Sequence, residues 1–301
     1  MRSSSDSCIS QRKIDCSKDK AGECNPCCCT NRAKLFVIGT GPGDINHISK
    51  RAIDLLKASD CVAGYTTYID LIKDIIKDKN IISTGMKREV DRVEMAIAEA
   101  LKGKACAIVS GGDAGIYAMA GLVFEICQKR GLQLIRHGDA KIVESTSKKS
   151  LEIEVVPGIP ALAAGASLLG APLTHDFAVI SLSDLLTPWD KIEKRLLAAA
   201  SADFVIAIYN PKSKKRDWQL TRAKELILTH RKEDTPVGVV TSAMREEQKI
   251  TITTLKEMDI ADVGMQTILI VGNDSSLHYL DFMFTPRGYL EKYEIYLNQW
   301  Q

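Results

Sequence analysis

The chain has 301 residues, of which 45% are hydrophobic and 26% are charged, and this is the composition of an ordinary globular protein. The length favours about two domains of roughly 150 residues each. The formal net charge is only +2, so the sequence offers no basic surface of the kind that binds nucleic acid or a membrane, and we expect neither partner.

Residues 1–33 are polar and hold six of the nine cysteines. They lack the apolar core of a secretory signal, so we expect a cytoplasmic protein with a flexible, cysteine-rich extension. The spacing of Cys24, Cys27, Cys28 and Cys29 is compatible with a zinc ion or an iron–sulfur cluster. A second Cys-x-x-Cys pair is missing, so an extension without a metal is the favoured prediction.

The first apolar segment, residues 35–38, ends in a glycine-rich loop. A continuous apolar run of this length is typical of a strand buried on both faces of a parallel sheet. Gly39, Gly41 and Gly43 follow at alternate positions around Pro42 and let a ligand approach the backbone. The loop lacks the third glycine of the dinucleotide fingerprint and the Gly-Lys-Ser/Thr of a phosphate loop, so it indicates a small-molecule site of open identity.

Short strands then alternate with amphipathic helices, which predicts an α/β domain with a mainly parallel sheet. The predicted helices are residues 48–58, 68–76 and 89–101, and the predicted strands are residues 61–63, 81–82 and 105–109. A second glycine-rich loop, residues 110–117, follows the last of these strands. We expect the two loops to face each other across a crevice, with Asp113 accepting a hydrogen bond from a ribose hydroxyl or capping the next helix.

A polar segment without periodicity, residues 136–150, predicts a surface insertion. A strand over residues 152–156 then runs into a proline-rich corner, which we take as the boundary between domains 34–157 and 158–301. The uncharged stretch 155–174 contains three prolines, so it predicts a linker and a buried helix rather than a membrane span. The second half again alternates helices (161–169, 188–200, 217–230) with strands (177–181, 204–209, 237–240, 250–254, 267–271).

Six motifs resemble, in order and spacing, those of the tetrapyrrole methylases. They are Gly-Thr-Gly-Pro-Gly-Asp (39–44), Gly-Gly-Asp-Ala-Gly-Ile-Tyr (111–117), Val-Pro-Gly-Ile-Pro-Ala (156–161), Leu-Gly-Ala-Pro-Leu-Thr-His-Asp-Phe (169–177), Ile-Tyr-Asn-Pro (208–211) and Thr-Ile-Leu-Ile-Val-Gly (267–272). Three longer blocks, residues 181–189, 202–216 and 285–289, are similar to the precorrin-3B C-17-methyltransferase branch of cobalamin biosynthesis. The resemblance begins at residue 34, and the cysteine-rich extension and the 136–150 insertion depart from it.

The resemblance implies a class III methyltransferase fold, with two α/β domains and S-adenosylmethionine in the cleft between them. It also implies a homodimer that methylates C-17 of precorrin-3 or its cobalt form and contracts the ring. Alternatives are a sister methylase that acts at C-11 or C-20 and, from another class, a metal or redox sensor that uses the N-terminal cysteines. An NAD-dependent oxidoreductase is disfavoured by the missing third glycine.

Site residues follow from the motifs. The resemblance implies cofactor contacts at Pro42, Gly111, Gly112, Asp113, Ile116, Pro160, Ala161, Asn210, Ala243 and Thr267. A substrate rich in carboxylates requires local cations and polar groups, for which the candidates are Ser181, Ser183, Lys212, Lys214 and Arg216. Ring contraction requires proton transfer, for which the candidates are Asp184, His175 and Thr187.

Overall fold

The computed structural model describes residues 33–139, 149–213, 216–258, 260 and 262–293. The N-terminal cysteines, Lys214 and residues 140–148 of the predicted insertion lie outside these ranges. Two large sheets, each covered by helices, account for most of the described chain. The fold class is therefore α/β, as predicted.

The first sheet has six parallel strands in the order β3-β2-β4-β1-β6-β5. The strands are β1 (Lys34–Gly39), β2 (Cys61–Tyr65), β3 (Asn80–Thr84), β4 (Ala105–Ser110), β5 (Gln133–Arg136) and β6 (Ser150–Val156). The helices between them are α1 (Lys50–Ala58), α2 (Thr66–Leu71), α3 (Glu89–Ala100) and α4 (Met119–Lys129).

Strand β1 is buried on both faces, as its continuous apolar run predicts. Leu35 and Val37 pack into the core under α3 and α4, whereas Phe36 and Ile38 pack into the core under α1 and α2. Alternate side chains of a strand point to opposite faces, so one apolar run supplies both cores. The strand is thereby fixed at the centre of the sheet, with its glycine loop at the carboxyl edge.

The second sheet has five strands in the order β11-β10-β12-β9-β8, with β8 and β9 parallel and β12 antiparallel to both of its neighbours. A small third sheet joins β13, β14 and β7. The strands of the second half are β7 (Gly170–Ala171), β8 (Phe177–Ser181), β9 (Val205–Tyr209), β10 (Pro236–Thr241), β11 (Lys249–Thr254), β12 (Thr267–Val271), β13 (Leu277–Tyr279) and β14 (Phe282–Phe284). The helices are α5 (Ala161–Leu169), α6 (Trp189–Ser201), α7 (Trp218–Leu228) and α8 (Tyr289–Lys292).

The predicted insertion is wrong at both ends, because Arg136 closes β5 and Ser150 opens β6. These two strands pair in parallel at the edge of the first sheet. The predicted helix over residues 68–76 is also displaced, since α2 begins at Thr66 and ends at Leu71. The small third sheet has no counterpart among the predicted elements.

Candidate active site

The two glycine loops of the first sheet are bonded directly to each other. Because β1 and β4 are neighbouring strands, their carboxyl ends emerge side by side. The Gly41 N–H donates to the Gly112 carbonyl at 3.0 Å, and the Gly112 N–H donates to the Gly41 carbonyl at 2.7 Å. The expectation that the loops face each other across a crevice is therefore wrong: together they form one wall.

Close backbone packing holds this wall against the start of the second half. A Cβ atom added to Gly158 would lie 2.2 Å from the Gly112 carbonyl oxygen and 2.7 Å from the Gly39 carbonyl carbon. A Cβ atom added to Gly39 would likewise lie 2.7 Å from the Gly158 nitrogen. Three chain segments meet here at distances that only glycine permits.

Asp113 ties these segments together through both carboxylate oxygens. Its Oδ1 accepts from the Gly115 N–H at 2.7 Å, and its Oδ2 accepts from the Gly158 N–H at 3.0 Å. Helix α4 instead has Ala118 at its N-cap position, without a side-chain cap, so the helix-cap alternative for Asp113 is wrong. The carboxylate is a structural link between the second glycine loop and the proline-rich corner.

A cavity of about 370 Å³ opens at this carboxyl edge. Its walls come from segments at the carboxyl ends of β1, β2, β3, β4 and β6 of the first sheet and from the ends of β9, β10 and β12 of the second. All ten residues predicted to contact the cofactor line it: Pro42, Gly111, Gly112, Asp113, Ile116, Pro160, Ala161, Asn210, Ala243 and Thr267. The ligand that fills the cavity remains a prediction at this point.

Four tyrosines that the sequence did not mark as site residues form part of the wall, although two of them, Tyr117 and Tyr209, lie in the quoted motifs. Tyr65 and Tyr68 pack edge to face, with ring centroids 5.6 Å apart, and the Tyr117 and Tyr209 centroids are 5.3 Å apart. The Tyr117 hydroxyl donates to the Val179 carbonyl at 3.0 Å, so this tyrosine links the first half to β8. Burial raises the pKa of Tyr117 and of Tyr209, and both hydroxyls stay protonated at neutral pH.

Arg245 makes a second link between the halves. Its Nε–H donates to the Pro42 carbonyl in the first glycine loop at 2.7 Å, and its side chain also lines the cavity. A Cβ atom at Gly43 would lie 2.7 Å from this arginine side chain. Sequence reasoning missed Arg245 because its partner lies about two hundred residues earlier in the chain.

Left-handed backbone conformations cluster around the cavity. Tyr117, Asn210 and Ser242 line it with φ angles of 50°, 51° and 51°, and Met244 beside it has a φ angle of 58°. Residues with side chains adopt this conformation only at a cost of about 1–3 kcal/mol, and such residues concentrate at functional sites. The clustering thus points to the same cavity as the glycine loops.

The candidate substrate residues form a polar group beside Asn210. Ser181 Oγ accepts from Asn210 Nδ2 at 3.0 Å, and Arg216 donates both to Ser183 Oγ and to the Asn210 carbonyl. Lys212 lies apart from this group, because its Nζ donates to the Ile260 carbonyl at 3.1 Å. The structure therefore brings together three of the four described candidates.

The three candidates for proton transfer do not lie together. Asp184 and the half-buried Thr187 follow the carboxyl end of β8, and Asp184 Oδ2 accepts from Gln219 Nε2 at 2.9 Å. His175 precedes the amino end of the same strand, where its Nδ1 accepts from the Asp176 N–H. β8 spans five residues, which separates its ends by roughly 13 Å. Because β8 and β9 are parallel, His175 lies at the amino ends of these strands and Asn210 at their carboxyl ends.

No group of three or more His, Cys, Asp or Glu side chains suited to a metal ion occurs within the described ranges. The N-terminal cysteines lie outside them, so a metal there stays untested. In the same part of the chain, none of the helices has the length and apolar character needed to cross a bilayer.

A parallel sheet whose glycine-rich carboxyl edge meets a second α/β half over a cavity is an arrangement typical of small-molecule sites in α/β proteins. Residues 34–259 match the family described as Tetrapyrrole (Corrin/Porphyrin) Methylases. The chain belongs to this family and is a methyltransferase, which confirms the resemblance drawn from the motifs.

Individual relatives and a solved structure are also named as methyltransferases. The chain is 47% identical over 255 residues to the probable cobalt-factor III C(17)-methyltransferase of Salmonella typhimurium, which covers 85% of this chain and 99% of that protein. It is 47% identical over 264 residues to the cobalt-factor III methyltransferase of Priestia megaterium, covering 88% of this chain but only 46% of that longer protein. The crystal structure of the methyltransferase CobJ superposes with a TM-score of 0.75 at 31% identity, over 84% of this chain and 100% of that one.

Proposed function

We propose that the chain transfers a methyl group from S-adenosylmethionine to C-17 of precorrin-3 or its cobalt-containing form, and contracts the ring towards the corresponding precorrin-4. The observation that carries the proposal is the single cavity in which all ten motif-derived cofactor residues meet. The Salmonella typhimurium relative, named for C-17 and matched over 99% of its length, supports the position of methylation.

The cavity fits an adenosyl sulfonium donor. Its volume of about 370 Å³ lies in the range of small-molecule sites. Gly112 has a φ angle of 68°, a conformation that favours glycine, and it lines the cavity. Pro42 and residues 111–113 would hold the donor from the first half, and Asn210 and Thr267 would hold it from the second.

S-adenosylmethionine, when bound, supplies a methyl group on a sulfonium that is ready for in-line displacement. The task of the protein is then to orient the donor and acceptor and to exclude water. The directly bonded glycine loops form one wall of the cavity, and the rings of Tyr65, Tyr68 and Tyr117 also line it. These groups position reactants without an acid, a base or a metal in the transfer step itself.

Ring contraction requires proton movement, for which we retain Asp184 and Thr187 as candidates. Both follow the carboxyl end of β8, the end at which Ser181 bonds to Asn210. The Gln219 amide holds the Asp184 carboxylate in a fixed orientation. His175 is not retained, since it lies at the other end of this strand.

Two further assignments accompany the proposal. A homodimer is supported by exposed apolar side chains on and beside the β13–β14 hairpin, where Tyr279, Leu280 and Phe282 are 65%, 72% and 55% exposed. The second is a location in the cytoplasm.

The main alternative is a sister methylase acting at C-11 or C-20. The 47% identity to relatives named for cobalt-factor III, together with the three branch-specific blocks, favours C-17. A metal or redox sensor built on the N-terminal cysteines is the alternative from another class. Deletion of residues 1–32 should spare methylation under our proposal and abolish function under that one.

The test is incubation with methyl-labelled S-adenosylmethionine and cobalt-precorrin-3, followed by mass and NMR analysis of the product. We expect one added methyl group, located at C-17, and loss of the C-20 position from the macrocycle. A label at C-11 or C-20 would refute the assigned position, and a product that keeps C-20 in the ring would refute the contraction.

A further inference from the structure

Four residues form a closed ring of hydrogen bonds, through side-chain and backbone groups, where β8 and β9 end and the chain approaches α7. Asn210 Nδ2 donates to Ser181 Oγ at 3.0 Å, and the Ser183 N–H donates to the same Oγ at 3.2 Å. Arg216 Nη1 donates to Ser183 Oγ at 3.2 Å, and its Nη2 donates to the Asn210 carbonyl at 2.8 Å. The ring therefore joins one cavity-lining residue to the loop that follows β8.

The guanidinium of Arg216 makes its hydrogen bonds to other residues of the protein. Two of its three nitrogens donate to ring members, and the third, Nε, is buried without a hydrogen-bond partner among the described residues. Its backbone is also fixed, since Ser213 and Arg216 exchange N–H···O bonds of 2.8 Å and 3.1 Å. Burial lowers the pKa of this arginine, with the Asp184 carboxylate opposing the shift.

Asn210 is the ring member whose backbone conformation depends most on the ring. It holds a left-handed conformation with a φ angle of 51° at the carboxyl end of β9, and it lines the cavity. Such a conformation persists only where the surroundings over-determine it. Here the carbonyl of Asn210 is held by Arg216 and its side chain by Ser181, so both ends of the residue are fixed by the ring.

We propose that Arg216 is a positioning residue for the methyl donor: it acts through Asn210 and does not pair with a carboxylate of the tetrapyrrole. This replaces the substrate-binding role that its place in a basic run predicts. The inference rests on the proposed function, because it assigns the donor to the wall that Asn210 forms. A lysine at this position cannot replace the arginine, because one ammonium does not reproduce the planar fork that spans Ser183 and Asn210.

The experiment compares Arg216→Lys and Arg216→Gln with the same two changes at Arg222. Arg222 lies further along in α7 and pairs with Glu193 and Glu225 at the surface. The probe is S-adenosylhomocysteine alone, titrated calorimetrically into the full-length protein. Steady-state assays with both substrates then separate the two KM values and kcat, and thermal denaturation reports the folded fraction.

We expect both Arg216 variants to bind S-adenosylhomocysteine about tenfold more weakly, as loss of a charged hydrogen bond implies. The KM for the donor should rise by a similar factor, with a smaller change in the KM for the tetrapyrrole. The Arg222 variants should bind the probe as the wild type does. Ser183→Ala, a milder change, should weaken probe binding a few-fold, and its effect should not add to that of Arg216→Gln because both break the same ring.

Three outcomes would overturn the inference. In the first, probe binding is unchanged while the KM for the tetrapyrrole rises and Arg216→Lys rescues it, which identifies a substrate ion pair. In the second, the melting temperature falls but the folded protein binds the probe normally, which identifies a purely structural role. In the third, wild-type protein fails to bind the probe, which refutes the proposed function and this inference with it.

Discussion

Gly158 shows how the cavity wall depends on single backbone contacts. It follows Pro157, and its N–H donates a hydrogen bond to the Asp113 carboxylate. It also packs against the backbone of both glycine loops. A side chain would have to push apart segments that are hydrogen-bonded to one another, because its nearest neighbours are backbone atoms rather than flexible side-chain ends. The sequence showed that Gly158 belongs to the motif of residues 156–161, but only the structure shows its packing role.

Gly158→Ala should lower the free energy of unfolding by about 2–3 kcal/mol, as overpacking at rigid backbone does. Gly121→Ala is the matched control, because Gly121 lies in α4 with no atom within 4 Å of the added Cβ. That change should stabilise the protein by about 0.5–1 kcal/mol through helix propensity. Urea denaturation measures both values, and equal effects at the two positions would contradict the packing argument.

Arg245→Met should weaken S-adenosylhomocysteine binding by about three- to tenfold, because it removes the donor to the Pro42 carbonyl and frees the first glycine loop. Calorimetric titration gives the dissociation constants. Arg130→Met removes a surface ion pair with Glu94 and should leave binding unchanged. Unaltered binding in the Arg245 variant would show that the link between the halves does not shape the site.

Asp184→Asn should lower kcat by at least tenfold if this carboxylate moves a proton during contraction, with little change in donor binding. His175→Asn should leave kcat within about twofold of the wild type, since the structure separates this residue from the cavity by the length of β8. Stopped assays of product formation measure both. A larger loss in the His175 variant would reverse the assignment.

At the residue scale, the ten residues predicted to contact the cofactor line one cavity, whereas the predicted polar candidates do not all lie together. Residues such as Gly111, Pro160 and Thr267 belong to motifs whose spacing follows strand ends, and strand ends meet at the cavity. Tyr65 and Met86 also line the cavity, but each follows a single glycine, Gly64 or Gly85, and does not belong to a glycine-rich loop. The motif that holds His175 did not show that this residue lies at the opposite end of β8 from Asp184, because a motif gives proximity along the chain and not the end of a strand at which a residue lies.

Elements with a strong apolar period were predicted almost to the residue. Helix α5 was predicted over residues 161–169, which is its observed span, and β12 was predicted over its observed residues 267–271. The missed elements are the short ones: β5 and α8 have four residues each, β13 and β14 have three each, and β7 has two. Three or four residues hold too few alternations to distinguish a strand from a loop.

The β13–β14 hairpin carries the prediction about assembly. Phe282→Asp should convert the proposed dimer to a monomer, because a charge at the centre of an apolar interface is left without a partner. Phe124→Asp, at a partly exposed phenylalanine on α4, is the control and should not change the mass. Light scattering after size-exclusion chromatography measures both. A wild-type monomer, or a dimer in both variants, would contradict this interface.

The whole molecule is organised by the contact between two halves that each complete only part of the site. The Arg245–Pro42 and Tyr117–Val179 hydrogen bonds cross between them, and Asp113 holds the corner at Gly158. Their partners lie between 45 and 203 residues apart in the chain. No local pattern encodes such pairings, so the sequence predicted which motifs belong to the site but not how the halves close over it.

The central claim is that one methyl donor binds between the halves, and the most direct measurement is a crystal structure of the protein with S-adenosylhomocysteine. We predict the ligand in the 370 Å³ cavity, in contact with the backbone of residues 111–113 on one side and with Asn210 and Thr267 on the other. A ligand bound elsewhere, or held by one half alone, would contradict the account.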